Sequence, residues 1–284
     1  MTETIASPPT EPGIYDGISD LTYHADRNSL SSSGARALLE PGGPAKFRYG
    51  AVEYKKDWDF GHVAHALVLG EGSAIEVLDY KDWRTKDAKA DAAAARAAGK
   101  VPILTAMYEV AKVMAEAALT HPLGEILFAS GVAEQSWYWN DPVTGVRLRC
   151  RPDWNTGGDH PLFVDYKTTK SADPAQFIKS AKDYGYHCQE PFYLDGAAEL
   201  GVDAQFYFFC QEKAAPYLPS VVQLPAEAVA EGRRLNRAAI DLYARCVESD
   251  TWPGYEPVVH TPPWPDWYSR TTETTLANLE RQAA

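Results

Sequence analysis

VRLRCRPDW (146–154), NTGGDHP (155–161) and LFVDYKTT (162–169) form the stretch whose reading decides the fold. The first segment alternates apolar and basic residues, as a strand does. The second is a run of turn formers. The third opens as a continuous apolar run, typical of a strand buried on both faces, and then turns polar. Side chains along a strand repeat every second residue, so Asp165 and Lys167 point to one face at its polar end. Asp153 ends the preceding strand after Pro152, and pairing of the two strands brings Asp153 and Asp165 to one sheet edge. Two carboxylates held close repel each other and call for a cation, and Mg²⁺ prefers hard oxygen ligands of this sort. A neighbouring lysine can stabilise the charge that develops in phosphoryl transfer, or help orient a water. An isolated Asp-x-Lys also matches solvated strand ends by chance, so the rest of the chain has to decide.

Upstream, VAEQSWYW (132–139) reads as an aromatic-rich strand and NDPVTG (140–145) as a turn, so 132–154 is expected to form a hairpin. Glu134, at the start of that strand, could add a carboxylate. Arg147, Arg149 and Arg151 alternate along one face and, with Lys170, could track phosphates; a solvated strand face is the rival reading. Downstream, 174–200 reads as helices interrupted near Gly185, AQFYFFCQEK (204–213) as a strand and 225–247 as a long helix. Near the start, SLSSSGARALL (29–39) is a helix opened by a serine N-cap and stopped by the Pro41–Pro44 run. FGHVAHALVLG (60–70) spaces His62, His65 and Leu69 as a helix does, and 86–98 and 104–119 also read as helices, with His121–Pro122 ending the latter. Helices, three strands, a helix and a further strand make an α/β fold: a small mixed sheet flanked by helices.

The 284 residues are 45% hydrophobic and 23% charged, as in a soluble globular protein. No stretch approaches the roughly 20 apolar residues of a membrane span, so no membrane partner is expected. MTETIASPPTEPG is polar and Pro-rich, unlike a secretory signal, which points to the cytoplasm. The expected organisation is a disordered tail over 1–14, one domain over 15–268 and a polar C-terminal tail over 269–284. Cys150, Cys188, Cys210 and Cys246 are far apart with no CxxC pair, which fits neither a zinc site nor a disulfide framework. Their spacing does not fit an iron–sulfur cluster either. Absence of GxxxxGK[ST] excludes P-loop ATP chemistry. The net charge of -12 argues by itself against nucleic acid. Charge is uneven, however: residues 146–182 hold seven basic and four acidic side chains, and 195–256 hold five and ten. An acidic protein with a locally basic site suits an enzyme that moves along DNA, not a tight passive binder.

GHVAH (61–65), RPDW (151–154), DYK (165–167) and QEPFY (189–193) occur in that order. Together they resemble the PD-(D/E)xK nuclease superfamily in its RecB-like branch, with a Gly-x-x-x-His helix, a strand ending in Asp, a strand bearing Asp-x-Lys and a helix bearing Gln-x-x-x-Tyr. YHADRNSLSSSGARALLEPGGPAKF, EQSWYWNDPVTGVRLRCRPDW, VDYKTT and GYHCQEPFYLDGA further look like the exonuclease VIII (RecE-type) phage recombination nucleases, across residues 15–268. The resemblance implies a restriction-endonuclease-like core with a helical insertion. It implies His65, Asp153 and Asp165 as metal ligands, the Tyr166 main-chain carbonyl as a further one, and Lys167 as the catalytic lysine. Gln189 would position the attacking water or the DNA, and Tyr193 would support the site or touch DNA. His62 lies three residues from His65, but the resemblance selects His65. The implied cofactor is Mg²⁺, for which Mn²⁺ substitutes. The implied activity is 5′-to-3′ degradation of one strand of linear double-stranded DNA, leaving a single strand for an annealing protein, often by a homo-oligomeric ring. A structure-specific endonuclease with the same site, or a catalytically silent DNA-end-binding module, would share these motifs; the intact Asp153, Asp165 and Lys167 speak against the silent module.

Overall fold

The computed structural model describes residues 7–50 and 58–283. At its centre LFVDYKTT is a strand over Leu162–Thr169. It lies third in a five-stranded sheet ordered Pro219–Val222, Gln205–Glu212, Leu162–Thr169, Trp154–Asn155, Val132–Ala133. Pairing with Gln205–Glu212 is parallel and sets Asp165 opposite Phe208 and Lys167 opposite Cys210; the other neighbouring pairs are antiparallel. The sheet is therefore mixed, as the order of elements predicts.

Both faces of this sheet are covered, which explains why Phe163, Val164, Asp165 and Tyr166 are all buried with no alternation. Phe163 packs with Phe206, Phe208, Phe177 and Phe192 on one side, under the helices Pro174–Asp183, Tyr186–Glu199 and Ala226–Ser249. Val164, Tyr166 and Phe209 meet Ala64, Val68, Ala115 and Leu127 on the other, under Trp58–Leu69, Thr105–Leu119 and Pro122–Leu127. Each fully buried phenyl or aliphatic side chain contributes about 1.5–3 kcal/mol, so this double-sided packing anchors the strand that carries Asp165.

The expected hairpin forms, with Ser136–Asn140 antiparallel to Arg147–Cys150 and Trp137 opposite Cys150. It belongs to a second sheet ordered Gly13–Tyr15, Ser136–Asn140, Arg147–Cys150, Leu30–Ser31. The single strand expected over 132–139 is split: Val132–Ala133 stays in the central sheet and the chain joins the second sheet at Ser136. Glu134 makes the break, with a left-handed φ of 53° that an extended ladder cannot hold. Asp153 likewise follows the strand that ends at Cys150 and precedes Trp154–Asn155, rather than ending a strand itself.

Helix boundaries agree with the sequence at several points. Ser31 caps Ser32–Leu39 by accepting from the Gly34 amide at 3.2 Å. Gly185, at φ 71°, separates Pro174–Asp183 from Tyr186–Glu199. His121–Pro122 closes one helix and starts another, because proline is readily placed in a first turn and the His121 ring accepts from the Leu123 amide. A two-stranded parallel unit, Ile75–Leu78 with Val101–Leu104, is crossed over by the Ala-rich helix Lys86–Ala97 and forms the insertion.

Both expected tails take part in structure. Residues 1–6 lie outside the described ones, but Pro9, Thr10 and Glu11 offer carbonyls to the Arg147 guanidinium, and Gly13–Tyr15 joins a sheet. The polar C-terminal segment falls in an exposed helix, Asp266–Ala283. Among the described residues no helix is long and apolar enough to cross a membrane.

Candidate active site

Five separate segments meet at the polar end of the central strand. Asp165 and Lys167 share one face there, as the two-residue period requires, and their side chains form an ion pair. Asp153, on the link between the second sheet and Trp154–Asn155, reaches across so that its Oδ2 accepts from the Tyr166 amide at 2.8 Å. His65, on the helix Trp58–Leu69, sets Nε2 2.7 Å from the same Oδ2, and its Nδ1 lies 3.6 Å from Glu134 Oε1. Gln189, on the helix Tyr186–Glu199, donates to Asp165 Oδ1 at 2.5 Å. Tyr193, one turn further along, sets its ring at 74° to that of Phe206, with centroids 5.8 Å apart.

The split strand at Glu134 has a use here. Its left-handed backbone, backed by a hydrogen bond from the Glu134 amide to the Asp153 carbonyl at 3.1 Å, turns the carboxylate toward His65. Strained φ values in non-glycine residues gather at functional sites. His65, Glu134 and Asp153 present one donor atom each, all within 4.8 Å of one another. Asp165 is 1% exposed, and its Oδ2, although against the Lys167 ammonium, receives no hydrogen bond of good geometry among the described residues. A cluster of carboxylates with an imidazole and an incompletely satisfied buried oxygen is a donor set that suits a divalent cation.

The electrostatics agree. Burial disfavours charge on His65, yet the Asp153 carboxylate against it raises its pKa to about 9. Glu134 is pushed up to about 7, by burial first and by the Asp153 charge second. Burial works against the Asp153 charge too, but His65 and Lys167 hold that carboxyl below its usual range. Asp165 goes the other way, raised by burial and by Asp153 beyond what Lys167 offsets. Burial of Lys167 is outweighed by Asp165 and Asp153, so its ammonium is held charged. Protons thus occupy a cluster that has more negative charge than its fixed cations neutralise.

His65, Glu134, Asp153, Lys167, Gln189 and Tyr193 line one open cleft of about 940 Å³, whose far wall comes from the insertion. His62 lines it as well, exposed and one turn from His65. Lys170 is exposed just beyond the strand end. Of the three arginines expected to track phosphates, Arg149 and Arg151 are buried and Arg147 is half-buried, and all three are engaged by acceptors of the protein, although Arg151 also borders the cleft. Arg149 donates to the Ser29 hydroxyl and carbonyl beside Asp26, Arg151 to Ser136 Oγ, Asp20 and the Ile18 carbonyl, and Arg147 to the carbonyls of residues 9–11. Their alternate spacing is satisfied by Tyr138 and Tyr23, over whose rings the guanidiniums lie. Among the described residues, Cys150, Cys188, Cys210 and Cys246 are buried free thiols.

A carboxylate ahead of a strand bearing Asp-x-Lys, with a helical histidine on one side and a helical glutamine on the other, defines a PD-(D/E)xK-type domain. The chain belongs to the family described as PDDEXK-like domain of unknown function (DUF3799), whose model matches residues 45–258. Its fold is similar to the crystal structure of a candidate exonuclease from Eubacterium rectale, with a TM-score of 0.59 at 11% identity, covering 87% of this chain and 96% of that one. A phage-related exonuclease from Haemophilus somnus 129PT aligns at 12% identity over 78% of this chain and 96% of its own, with a TM-score of 0.32 that is too low to bear on the fold. No curated protein matches the chain.

Proposed function

We propose that this chain is a metal-dependent deoxyribonuclease that resects linear double-stranded DNA from its ends, 5′ to 3′, leaving single strands for recombination by annealing. The observation that carries the reading is the convergence of His65, Asp153, Lys167, Gln189 and Tyr193 on one cleft, with Asp165 bonded to both Lys167 and Gln189.

In this reading His65, Asp153 and Asp165 hold the cation, with Glu134 and the Tyr166 main-chain carbonyl as further donors. Mg²⁺ is the proposed ion and Mn²⁺ its substitute, since both accept oxygen and imidazole ligands. Once bound, the cation supplies Lewis acidity that offsets charge on phosphate oxygens and makes a water a better nucleophile. Lys167 brings a fixed positive charge to the developing negative charge on the phosphate. Gln189 fixes the orientation of Asp165, and Tyr193 steadies the same helix face beside the DNA. Lys170, exposed past the strand end, would meet a backbone phosphate. Cytoplasmic location, an annealing protein that takes up the single strand and a ring of copies around the duplex belong to the same proposal.

Polarity and end-dependence are tested together on duplexes labelled separately at each 5′ and 3′ end, beside a covalently closed circle. Early release of 5′ label with the circle intact is the expected result. Nicking or linearisation of the circle would favour an endonuclease with the same site.

A further inference from the structure

The Asp165–Lys167 pair lies against an aromatic wall. Strand register fixes the base of that wall: residues 163, 165 and 167 share a face, and the parallel pairing sets Phe208 beside Asp165. The Tyr186 ring lies on Phe208, with centroids 5.7 Å and planes 32° apart, and stacks on Phe177 at 5.8 Å and 20°. Phe177 and Phe208 are fully buried. The half-buried Tyr186 ring is therefore held by the core on one side and borders the cleft on another. The Lys167 ammonium lies over that ring, 4.9 Å from its centroid. This is inside the roughly 6 Å within which the negative face of an aromatic ring attracts a cation.

Gly185 sets the ring there. Its left-handed backbone separates Pro174–Asp183 from Tyr186–Glu199, and its carbonyl accepts from Arg36 Nη1 at 3.1 Å and from the Cys188 amide at 3.0 Å. Tyr186 thus leaves a pinned backbone, in the first turn of the helix that also carries Gln189 and Tyr193. Burial raises the Tyr186 phenol above its usual range, so the ring is neutral and its face is what Lys167 meets. The ammonium has two anchors, the Asp165 carboxylate and the Tyr186 face. They are not equivalent. In the nuclease reading Asp165 is committed to a cation, which weakens its hold on the ammonium and sets like charges near each other. The ring has no formal charge to be neutralised and keeps its hold. A flexible lysine stem left with neither anchor would swing toward water.

We propose that Tyr186 is a positioning residue for Lys167, its ring face keeping the ammonium directed into the cleft when Asp165 serves the cation. The consequence for catalysis rests on the nuclease reading; the contact itself does not. Tyr186 acts through Lys167 and needs no contact with the DNA.

Two readouts test it. The first needs neither metal nor substrate: NMR of the full chain with lysine labelled at Cε, the Lys167 signal being assigned by its loss in Lys167→Arg. Protons over a ring face are shielded, so the Lys167 signal should lie upfield of the other lysines. It should stay there in Tyr186→Phe and return to the ordinary lysine position in Tyr186→Leu. The second is cleavage of labelled linear duplex with Mg²⁺. Tyr186→Phe should stay within about twofold of wild type, and Tyr186→Leu should lower kcat about tenfold with KM within about twofold. Because leucine also changes the packing, phenylalanines of increasing ring fluorination at position 186 separate the causes. Fluorine withdraws charge from the ring face and leaves its size nearly unchanged, so kcat should fall stepwise along the series. The proposal is overturned if the wild-type Lys167 signal lies among the other lysines, if Tyr186→Leu keeps the wild-type kcat, or if fluorination leaves kcat flat. A wild type that shows the upfield signal but cuts no DNA with any divalent cation keeps the contact and loses the nuclease. A wild type that cuts while Tyr186→Leu cuts equally fast keeps the nuclease and loses the role of Tyr186.

Discussion

His65 Nε2 and the Tyr166 amide both meet Asp153 Oδ2, at 2.7 and 2.8 Å, so in the metal-free protein a proton sits where a cation would otherwise balance the carboxylates. A raised pKa of about 9 keeps His65 protonated at neutral pH. The sign follows. Because the folded value lies above the unfolded one, the His65–Asp153 pair stabilises the metal-free protein fully below the ordinary histidine range, and that contribution is lost as pH rises through about 9. A cation needs the ring neutral, so its affinity moves the other way, and binding releases a proton. Titration calorimetry with Mn²⁺ should show tighter binding at about pH 8.5 than at about pH 6.5, with proton release revealed by buffers of different ionisation heat. Affinity that is flat over this range would remove His65 from the ligand set. Legibility at this scale was uneven. Asp165 and Lys167 are readable because a strand's period dictates their common face. The fate of Arg149 and Arg151 is not, because period alone cannot say whether a face looks to solvent or to Tyr23 and Asp26.

At the scale of elements, the site depends on how two helices and one hairpin are fastened. Gly232 lies where Ala226–Ser249 crosses Tyr186–Glu199, and a Cβ there would come within 1.7 Å of the His187 carbonyl oxygen. Asn236 fixes the same crossing by donating to the Cys188 carbonyl at 2.8 Å. Gly232→Ala must push the helices apart beside Gln189, and a loss of about 3 kcal/mol in denaturant unfolding is expected. Asp141 ties the hairpin turn to the long helix, accepting from the Thr144 amide and hydroxyl at 2.8 and 2.6 Å and from Arg237 at 2.7 Å. Burial opposes its charge, but Arg237 and Thr144 together lower its pKa. Its contribution is therefore present above the ordinary aspartate range and lost as pH falls through the depressed value. Asp141→Ala should cost about 2 kcal/mol at neutral pH, discounted because Arg237 is partly exposed, and the gap to wild type should close in acid. The central strand, the hairpin and the break at Gly185 were legible because long apolar runs and glycine punctuation are strong local signals. The break at Glu134 was not, because a left-handed glutamate has no signature in composition. Gly13–Tyr15 pairs through its backbone, and Asp266–Ala283 has little buried face to announce it.

Across the whole molecule, a net charge of -12 surrounds a cluster in which Glu134, Asp153 and Asp165 face Lys167 and His65. Such a surface holds DNA weakly unless local cations engage it, which suits an enzyme that must release and advance. The central claim is that Asp153, Asp165 and Lys167 hydrolyse DNA. The most direct measurement is the time course of an end-labelled linear duplex with Mg²⁺, for wild type, wild type in EDTA and Lys167→Ala. Wild type should consume the substrate, EDTA should stop it, and Lys167→Ala should slow it about a thousandfold while still giving a cooperative melting transition. DNA left intact by wild type with both Mg²⁺ and Mn²⁺, or cut equally fast by Lys167→Ala, would contradict the account.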